Sequence, residues 1–317
     1  MDRRGFLRSV AALGTARLLS ACGTDTAVPS TEPTLSVFPA NYELLTGRRQ
    51  RVAFALLDAS NRPLRDAPAE LYVRDPQGGV LSGPVDTDYH REPGLERGFY
   101  RSTVTLRRPG VVTLAAVVGD AWGEGAVRVV TPRRSAVPAP GQPAVETATP
   151  TPAHPVGMRR LCTRTPPCGM HATSLDDALA AHRPVVLTFA TPAYCTSTVC
   201  GPTVDTVERV RTSTAWGDVA WIHCEIFSDA GRHPARPVRA WGLESEPWLF
   251  AIGRDGIVAD RLDGPVLEGD VARSRGGPGP DQPASSRPRS TLAPLPSPRR
   301  RACSPVRMPR AGRSTAT

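Results

Sequence analysis

The chain has 317 residues, a length that allows two ordinary domains with flanking segments. Hydrophobic residues make up 40% of it, enough for packed cores, whereas 34 prolines and 28 glycines indicate long stretches without regular structure. The net charge is +9, but residues 271–317 hold ten arginines and one acid, Asp281, so the other 29 arginines and 29 acids balance. Because the basic charge belongs to a tail and not to a face of a domain, we expect no nucleic-acid partner.

Residues 1–22 are typical of an export signal. Arg3 and Arg4 open the chain as in twin-arginine signals, and a small apolar stretch leads to Leu-Ser-Ala-Cys at residues 19–22. This motif resembles a lipobox, in which the signal is cut before a cysteine whose thiol receives a lipid. We therefore expect Cys22 to anchor the mature protein to the outer face of the cell membrane.

The polar, proline-containing residues 23–33 suit a flexible tether. No later stretch reaches the roughly 18 apolar residues that a membrane span needs. Export also permits disulfides, since paired cysteines outside the cytosol can oxidise. With Cys22 lipidated, the remaining cysteines are Cys162, Cys168, Cys195, Cys200, Cys224 and Cys303.

Residues 34–131 show short β-like runs separated by turn formers. In Tyr100–Leu106, for example, the apolar residues Tyr100, Val104 and Leu106 recur with the spacing of two that a strand gives, and Ser102 is the exception on that face. Such runs over roughly 100 residues predict an immunoglobulin-like sandwich. No clustered His, Cys or paired acids accompany them, which favours a spacer or binding module. The predicted strands are Thr34–Phe38, Arg51–Leu57, Ala69–Arg74, Phe99–Leu106, Val111–Val118 and Gly125–Val130.

Residues 132–157 are a proline-rich linker. Seven prolines lie among Ala, Thr and Glu, and few side chains there can pack into a core. We expect the linker to be semi-extended and to hold the second domain away from the first.

Residues 158–268 alternate helical and strand patterns, which predicts an α/β domain. Ser174 is placed to cap a helix with acids in its first turn, and Pro184–Ala190 is typical of a buried strand. A helical pattern then runs to Thr214. The later predicted strands are Val219–Phe227, Trp248–Ile252 and Ile257–Leu262, the last two joined as a hairpin.

Cys195 and Cys200 lie between the buried strand and the helix that follows. A helix N-terminus lowers the pKa of a thiol, and a second thiol nearby can resolve a mixed disulfide. On one regular helix, residues five apart lie about 140° and roughly 7.5 Å apart, beyond the roughly 7 Å between Cα atoms that a disulfide allows. Cys195 should therefore lie in the loop, and a helix should start near 200–202, where Pro202 is tolerated.

This order of elements and cysteines, over about residues 170–265, resembles the thioredoxin-like superfamily. Glu246-Pro247-Trp248 is similar to the family's cis-proline position, so the resemblance implies that Pro247 faces Cys195 and Cys200 and completes the catalytic set. The chain as a whole resembles lipid-anchored thioredoxin-like proteins of GC-rich actinobacteria. The usual motif has two residues between its cysteines, whereas four stand here.

Which thiol attacks a substrate stays open at this point. The distance from the strand end puts Cys195 where the family's nucleophile lies. Cys200-Gly201-Pro202, however, is similar to the start of the family's Cys-Gly-Pro-Cys motif. We favour Cys195 and keep an inert, stabilising disulfide between the two as the alternative.

The other cysteines carry weaker patterns. Cys162 and Cys168 flank a short Thr-Arg-Thr-Pro-Pro segment, where a structural disulfide is the first interpretation and a metal pair completed by His171 the second. Cys224 lies on the apolar face of a predicted strand, which indicates a buried core thiol. A copper site joining the cysteine loop to His233 is a further hypothesis, but our expectation is no cofactor and no resident metal.

Residues 269–317 predict a disordered basic tail, because arginine, proline, serine and glycine dominate without periodicity. A closing helix would then be missing, and one hypothesis is a shifted reading frame. The whole chain predicts a membrane-tethered thiol–disulfide exchange protein that acts on thiols or disulfides of exported proteins. The alternative is a non-enzymatic lipoprotein with a locked disulfide, or a copper- or metal-binding thioredoxin-like chaperone.

Overall fold

The computed structural model describes residues 32–77, 81–95 and 97–273. The expected export signal with Cys22, most of the tether, and the tail from residue 274 with Cys303 lie outside the described residues. No helix among the described residues has the length and apolar character needed to cross a membrane.

The first part of the chain is a β-sandwich, as predicted for residues 34–131. Its strands are β1 (Ser36–Pro39), β2 (Glu43–Leu45), β3 (Arg49–Leu57), β4 (Glu70–Arg74), β5 (Ser82–Val85), β6 (Thr87–His90), β7 (Phe99–Thr105), β8 (Gly110–Val118) and β9 (Ala121–Val130). One sheet has the order β1-β3-β7-β6, and the other has the order β2-β9-β8-β4-β5. The predicted immunoglobulin-like architecture of two mostly antiparallel sheets is therefore present.

The sandwich core forms where the inward side chains of the two sheets meet. Phe54 and Tyr100 stack with ring centroids 5.6 Å apart, and Leu71 and Leu114 from the facing sheet are fully buried. Strands β2, β5 and β6 were not predicted. All three are three or four residues long and lie at sheet edges, and strands this short have too little alternation for a sequence pattern to detect.

The second part is a four-stranded mixed sheet covered by helices on both faces. Its strands are β10 (Val185–Phe189), β11 (Ala220–Cys224), β12 (Trp248–Ile252) and β13 (Val258–Asp263), and its helices are α1 (Leu175–Ala180), α2 (Cys200–Ser213), α3 (Arg236–Ala240) and α4 (Glu268–Arg273). The strand order is β11-β10-β12-β13, with β10 parallel to β11 and antiparallel to β12. Leu187 packs with α1 and α3 on one face, while Val186 packs with α2 and α4 on the other.

The expectation that residues 132–157 hold the two domains apart is not what the structure shows. A short 3₁₀ helix, Pro132–Arg134, begins the segment, and Val137 and Ala139 are buried. The backbone N–H of Thr149 donates to the Ser174 hydroxyl at 2.8 Å, so Ser174 does not cap α1 with its side chain. Apolar residues between the prolines pack against both parts instead of remaining in solvent.

The sandwich and the α/β part share a buried polar interface. Arg51 of β3 pairs with Asp270 of α4 at 3.0 Å, and Glu43 of β2 pairs with Arg261 of β13 at 2.9 Å. All four side chains are 5% exposed or less. At Gly264, φ is +72°, and a Cβ would lie 2.2 Å from the Ala40 carbonyl oxygen, so this close approach requires glycine. The described residues therefore belong to one compact unit.

Disorder is expected from residue 269 onward, but this expectation is wrong for residues 269–273. Helix α4 runs to Arg273, and its Val271 is completely buried against α2. A helix of six residues, α4, is therefore present where irregular structure was expected from residue 269. Burial of Val271 and the Arg51–Asp270 pair stabilise this segment, and both depend on residues far away in the sequence.

Candidate thiol site

Cys195 and Cys200 occupy the positions that their spacing predicted. Cys200 is the first residue of α2 and is fully buried, whereas Cys195 lies in the loop after β10 and is partly exposed. The loop places the two thiols together: both sulfurs and a carboxylate oxygen of Glu246 lie within 4.8 Å of one another. Both thiols are free. One sulfur thus faces solvent while its partner is held behind it.

Hydrogen bonds favour a thiolate at Cys195. The hydrogen bond from the Cys200 thiol has the largest effect and lowers the pKa of Cys195. Burial raises this pKa, whereas hydrogen bonds from the Ser197 hydroxyl and from the backbone N–H groups of Cys200 and Ser197 lower it further. The Ser197 oxygen lies 3.1 Å from the Cys195 sulfur. Together these contacts lower the pKa of Cys195 to about 5. The Cys195 thiolate and burial raise the pKa of Cys200 instead, so the pair holds one proton, on Cys200.

This asymmetry predicts a pH profile for alkylation. Because the thiolate is the reactive form, the rate for Cys195 with iodoacetamide should rise with pH to a plateau, with a midpoint near pH 5. Peptide mapping by mass spectrometry isolates this residue from other thiols. In Cys200→Ala the largest stabilising hydrogen bond is gone, and the midpoint should move toward the ordinary value of about 8.5. An ordinary midpoint in the unmodified protein would contradict the assignment.

Pro247 and Glu246 come from the loop before β12. The Glu246–Pro247 peptide bond is cis, and Pro247 is buried. The carboxylate nearest the sulfurs belongs to Glu246, whose pKa is raised by burial and by the negative charge of Cys195. Glu246 stood in the motif quoted for Pro247, but its own role was missed, because a glutamate before a proline has no sequence signal for the direction of its side chain.

A cleft of about 780 Å³ opens between the sandwich and the segment of the cysteine loop at Ser197, Thr198 and Val199. Its walls include Ser197, the immediate neighbour of the Cys195 sulfur, and Glu246. The sandwich contributes apolar side chains, among them Phe38, which is 51% exposed. The residues from the sandwich that line the cleft include Phe38, Tyr42, Leu95 and Phe99. A segment bound in the cleft would contact the sandwich and the cysteine loop at once.

A second cluster joins Cys162, Cys168, His171 and His223, all buried, with one donor atom of each within 4.8 Å of the others. The structural disulfide expected between Cys162 and Cys168 is not formed: both thiols are free, with sulfurs 3.7 Å apart against about 2.05 Å when bonded. His171 takes part, as the second interpretation proposed. His223 was missed, because strand alternation indicates only that it faces away from Cys224.

The remaining candidates lie apart from these clusters. Cys224 is fully buried in the apolar core, as predicted, and burial raises its pKa. His233 is exposed and pairs with Asp229 at 2.8 Å. Among the described residues, the donor group around Cys195 contains Cys200 and Glu246 but not His233, so the structure does not assemble the hypothetical copper site.

No family model matches this chain. No curated protein matches it either. Among solved structures, the Lin-41 filamin domain is 16% identical with a TM-score of 0.22, covering 31% of this chain and 93% of that one. A chain of the titin M10–obscurin-like 1 Ig complex is 15% identical with a TM-score of 0.19, covering 30% and 87%. The Ig-like domain of human leucine-rich repeat-containing protein 4 is 19% identical with a TM-score of 0.18, covering 32% and 89%.

Proposed function

We propose that this protein is a membrane-tethered, extracytoplasmic thiol–disulfide exchange protein, with lipid on Cys22 as its anchor and a thioredoxin-like fold over residues 158–268. One observation carries the proposal: a partly exposed thiol with a lowered pKa, Cys195, lies against a buried thiol, Cys200, at the N-terminus of a helix. This is the arrangement that exchange chemistry needs, with one sulfur to attack and one to resolve.

Topology supports the fold assignment. A helix, a strand, the cysteine loop, a long helix, a second parallel strand and a β-hairpin follow in the order that suits a thioredoxin-like domain. The loop before β12 contains Glu246 and Pro247. Because a carboxylate oxygen of Glu246 lies within 4.8 Å of both sulfurs, this loop lies beside the cysteine loop.

The chemistry follows from the two protonation states. The Cys195 thiolate attacks one sulfur of a substrate disulfide, a mixed disulfide forms, and the other substrate sulfur leaves as a thiolate. Cys200 then loses its proton and attacks the Cys195 sulfur. The second substrate sulfur leaves, the substrate has gained two electrons, and the protein holds a Cys195–Cys200 disulfide. A dithiol donor must reduce that disulfide before the next cycle.

Glu246 is the acceptor for the Cys200 proton in this scheme. A buried thiol with a raised pKa resolves slowly unless a base lies nearby, and the Glu246 carboxylate lies within 4.8 Å of its sulfur. Because burial also raises the pKa of Glu246, the carboxylate is a stronger base than an exposed one. Its contact with the cleft gives the proton a path to solvent.

The cleft indicates the class of substrate. It is large enough for an extended peptide segment, and its wall on the sandwich presents exposed Phe38. Thiols or disulfides in loops of exported proteins fit this chemistry. The sandwich would then contribute to substrate binding, in addition to acting as a spacer.

Redox titration tests the proposal. In glutathione buffers, the Cys195–Cys200 pair should reduce reversibly at a potential above roughly −300 mV, the level below which structural disulfides resist reduction. The reduced protein should also speed the precipitation of insulin by dithiothreitol. If the pair stays oxidised below that potential and the protein does not reduce insulin, the disulfide is a structural one and the proposed exchange activity is refuted.

A further inference from the structure

The second cluster has a composition and geometry that the thiol chemistry does not use. We propose that Cys162, Cys168, His171 and His223 form a buried tetrahedral site for Zn²⁺. Its four donors form a group distinct from that of Cys195, Cys200 and Glu246, and the proposal stands whether or not the protein exchanges disulfides. It departs from the sequence-based expectation that the chain has no resident metal.

Four of the distances between these donors lie within about 0.3 Å of the edges of a zinc tetrahedron. With Zn–S near 2.3 Å and Zn–N near 2.0–2.1 Å, tetrahedral angles put two sulfurs about 3.8 Å apart and a sulfur and a nitrogen about 3.5 Å apart. The Cys162 and Cys168 sulfurs are 3.7 Å apart. The His223 Nδ1 lies 3.8 Å from the Cys162 sulfur and 3.3 Å from that of Cys168, and the His171 Nε2 lies 3.3 Å from the Cys168 sulfur.

The ring nitrogen of His223 that faces away from the sulfurs has the hydrogen-bond partner expected of a metal-bound histidine. His223 points Nδ1 at the sulfurs and places Nε2 3.1 Å from the Ala190 carbonyl oxygen, to which it can donate. Metal-bound histidines almost always donate their second ring nitrogen in this way. The backbone N–H of Cys168 also donates to the Cys162 sulfur at 3.4 Å, a contact that suits a thiolate.

Backbone and side-chain contacts hold the ligand loop against the strand. The N–H of His223 donates to the Met170 carbonyl oxygen at 2.8 Å, which fixes the segment containing His171 beside β11. Next to Cys162, the N–H and hydroxyl of Thr163 donate to Glu225 at 2.6 Å and 2.9 Å. Hydrogen bonds therefore fix the segments that carry the ligands relative to one another.

Charge and burial select zinc. Two thiolates compensate the charge of a divalent cation, and the two imidazoles are neutral, so the ion and its four ligands carry no net charge in a core where an unpaired charge is costly. The carboxylate of Glu225, which lies 3.9 Å from Nε2 of His223, accepts hydrogen bonds from Thr163. Two sulfur and two nitrogen donors in a tetrahedron suit Zn²⁺. Because all four donors are buried, the coordination is closed, and the role is structural.

The site is tied to the loop that carries Cys195. The Ala190 carbonyl bonded by His223 begins that loop, and the N–H of Ala193 donates to the Thr163 hydroxyl at 3.1 Å. Metal loss should therefore loosen the loop as well as the core.

Metal analysis of the reduced full chain tests the site. We expect one equivalent of zinc per chain, with a lower Tm after chelation. Cobalt(II) in its place should give tetrahedral d–d bands and a sulfur-to-cobalt charge-transfer band from two thiolates. In Cys162→Ser the charge-transfer intensity should fall by about half or cobalt binding should be lost.

The double variant Cys195→Ser/Cys200→Ser is the matched control, because it removes two thiols from the other donor group and should keep zinc and the cobalt spectrum. If Cys162→Ser fails to fold, the cobalt spectrum of the unmodified protein still shows whether two thiolates bind the metal in a tetrahedral site. The proposal is overturned if the reduced protein binds neither metal, or if binding survives in Cys162→Ser and disappears in the double variant.

Discussion

Replacing Cys195 by serine should lower the rate of insulin disulfide reduction to that of dithiothreitol alone, because a serine hydroxyl cannot serve as the thiolate nucleophile. Cys200→Ser should retain the attack but lose the resolving step. It should therefore accumulate a covalent mixed disulfide with substrate, which a non-reducing gel or mass spectrometry detects. The difference between the two variants follows from their positions, since Cys195 is partly exposed and Cys200 is fully buried.

Cys224→Ser is the matched control, because this thiol is buried in the core on the opposite face of the sheet from Cys200. It should keep the activity of the unmodified protein wherever it remains folded. If Cys200→Ser were inactive without trapping substrate, and Cys195→Ser trapped it, the roles of the two thiols would be reversed. If all three variants were equally active, exchange at this site would be refuted.

Asp270→Ala should lower the free energy of unfolding by about 3–5 kcal/mol, the usual cost of leaving a buried charge without its partner. Asp270 is 3% exposed and contacts Arg51 at 3.0 Å and Arg101 at 3.5 Å. Burial acts to raise the pKa of Asp270, but Arg51 and Arg101 prevail and lower it. Its contribution is therefore present above about pH 4 and is lost as the pH falls through the folded pKa. Denaturant titrations at neutral and acid pH measure both effects.

Asp218→Ala is the matched control for that loss. Asp218 pairs with Arg254 at the surface, with side chains 48% and 61% exposed, and its removal should change stability by less than about 1 kcal/mol. Adding Arg51→Met to Asp270→Ala should recover part of the stability, because it removes a buried charge that has lost the Asp270 carboxylate. The acceptors that remain for Arg51 in Asp270→Ala include the carbonyl oxygens of Asp263 and Pro265 in place of that carboxylate. Equal small losses in both aspartate variants would show that the interface is not held by this pair.

Several elements could be predicted because their signals are local. The strand β10 is apolar except for Thr188, is buried along its whole length and follows Pro184. The start of α2 follows from Pro202 and the limited reach of a disulfide. Cys195 and Cys200 are close in sequence, so their geometry depends on one loop. By contrast, edge strands such as β2 are too short to show alternation, and they form only when a neighbouring strand supplies hydrogen bonds.

The linker and the tail show how composition misleads. Proline counts predicted that residues 132–157 stay extended, but Val137 and Ala139 lie between prolines and find apolar surface to cover. Arginine-rich composition predicted an end to regular structure at residue 269, but Asp270 and Val271 are held by Arg51 and by α2. In both places the deciding partners are distant in the chain.

The amino-acid sequence by itself determined the two-part organisation, the β-sandwich, and the placement of one thiol in a loop and the other at a helix start. These features depend on hydrophobic periodicity and on short spacings, both of which can be recognised within a few consecutive residues. Only the tertiary structure decided that Glu246 reaches the two sulfurs, that the sandwich walls the cleft, and that His223 joins Cys162, Cys168 and His171. Such groupings depend on which strands and loops meet in space. Side-chain packing between segments that are distant in the sequence determines this, and a local sequence pattern does not show it.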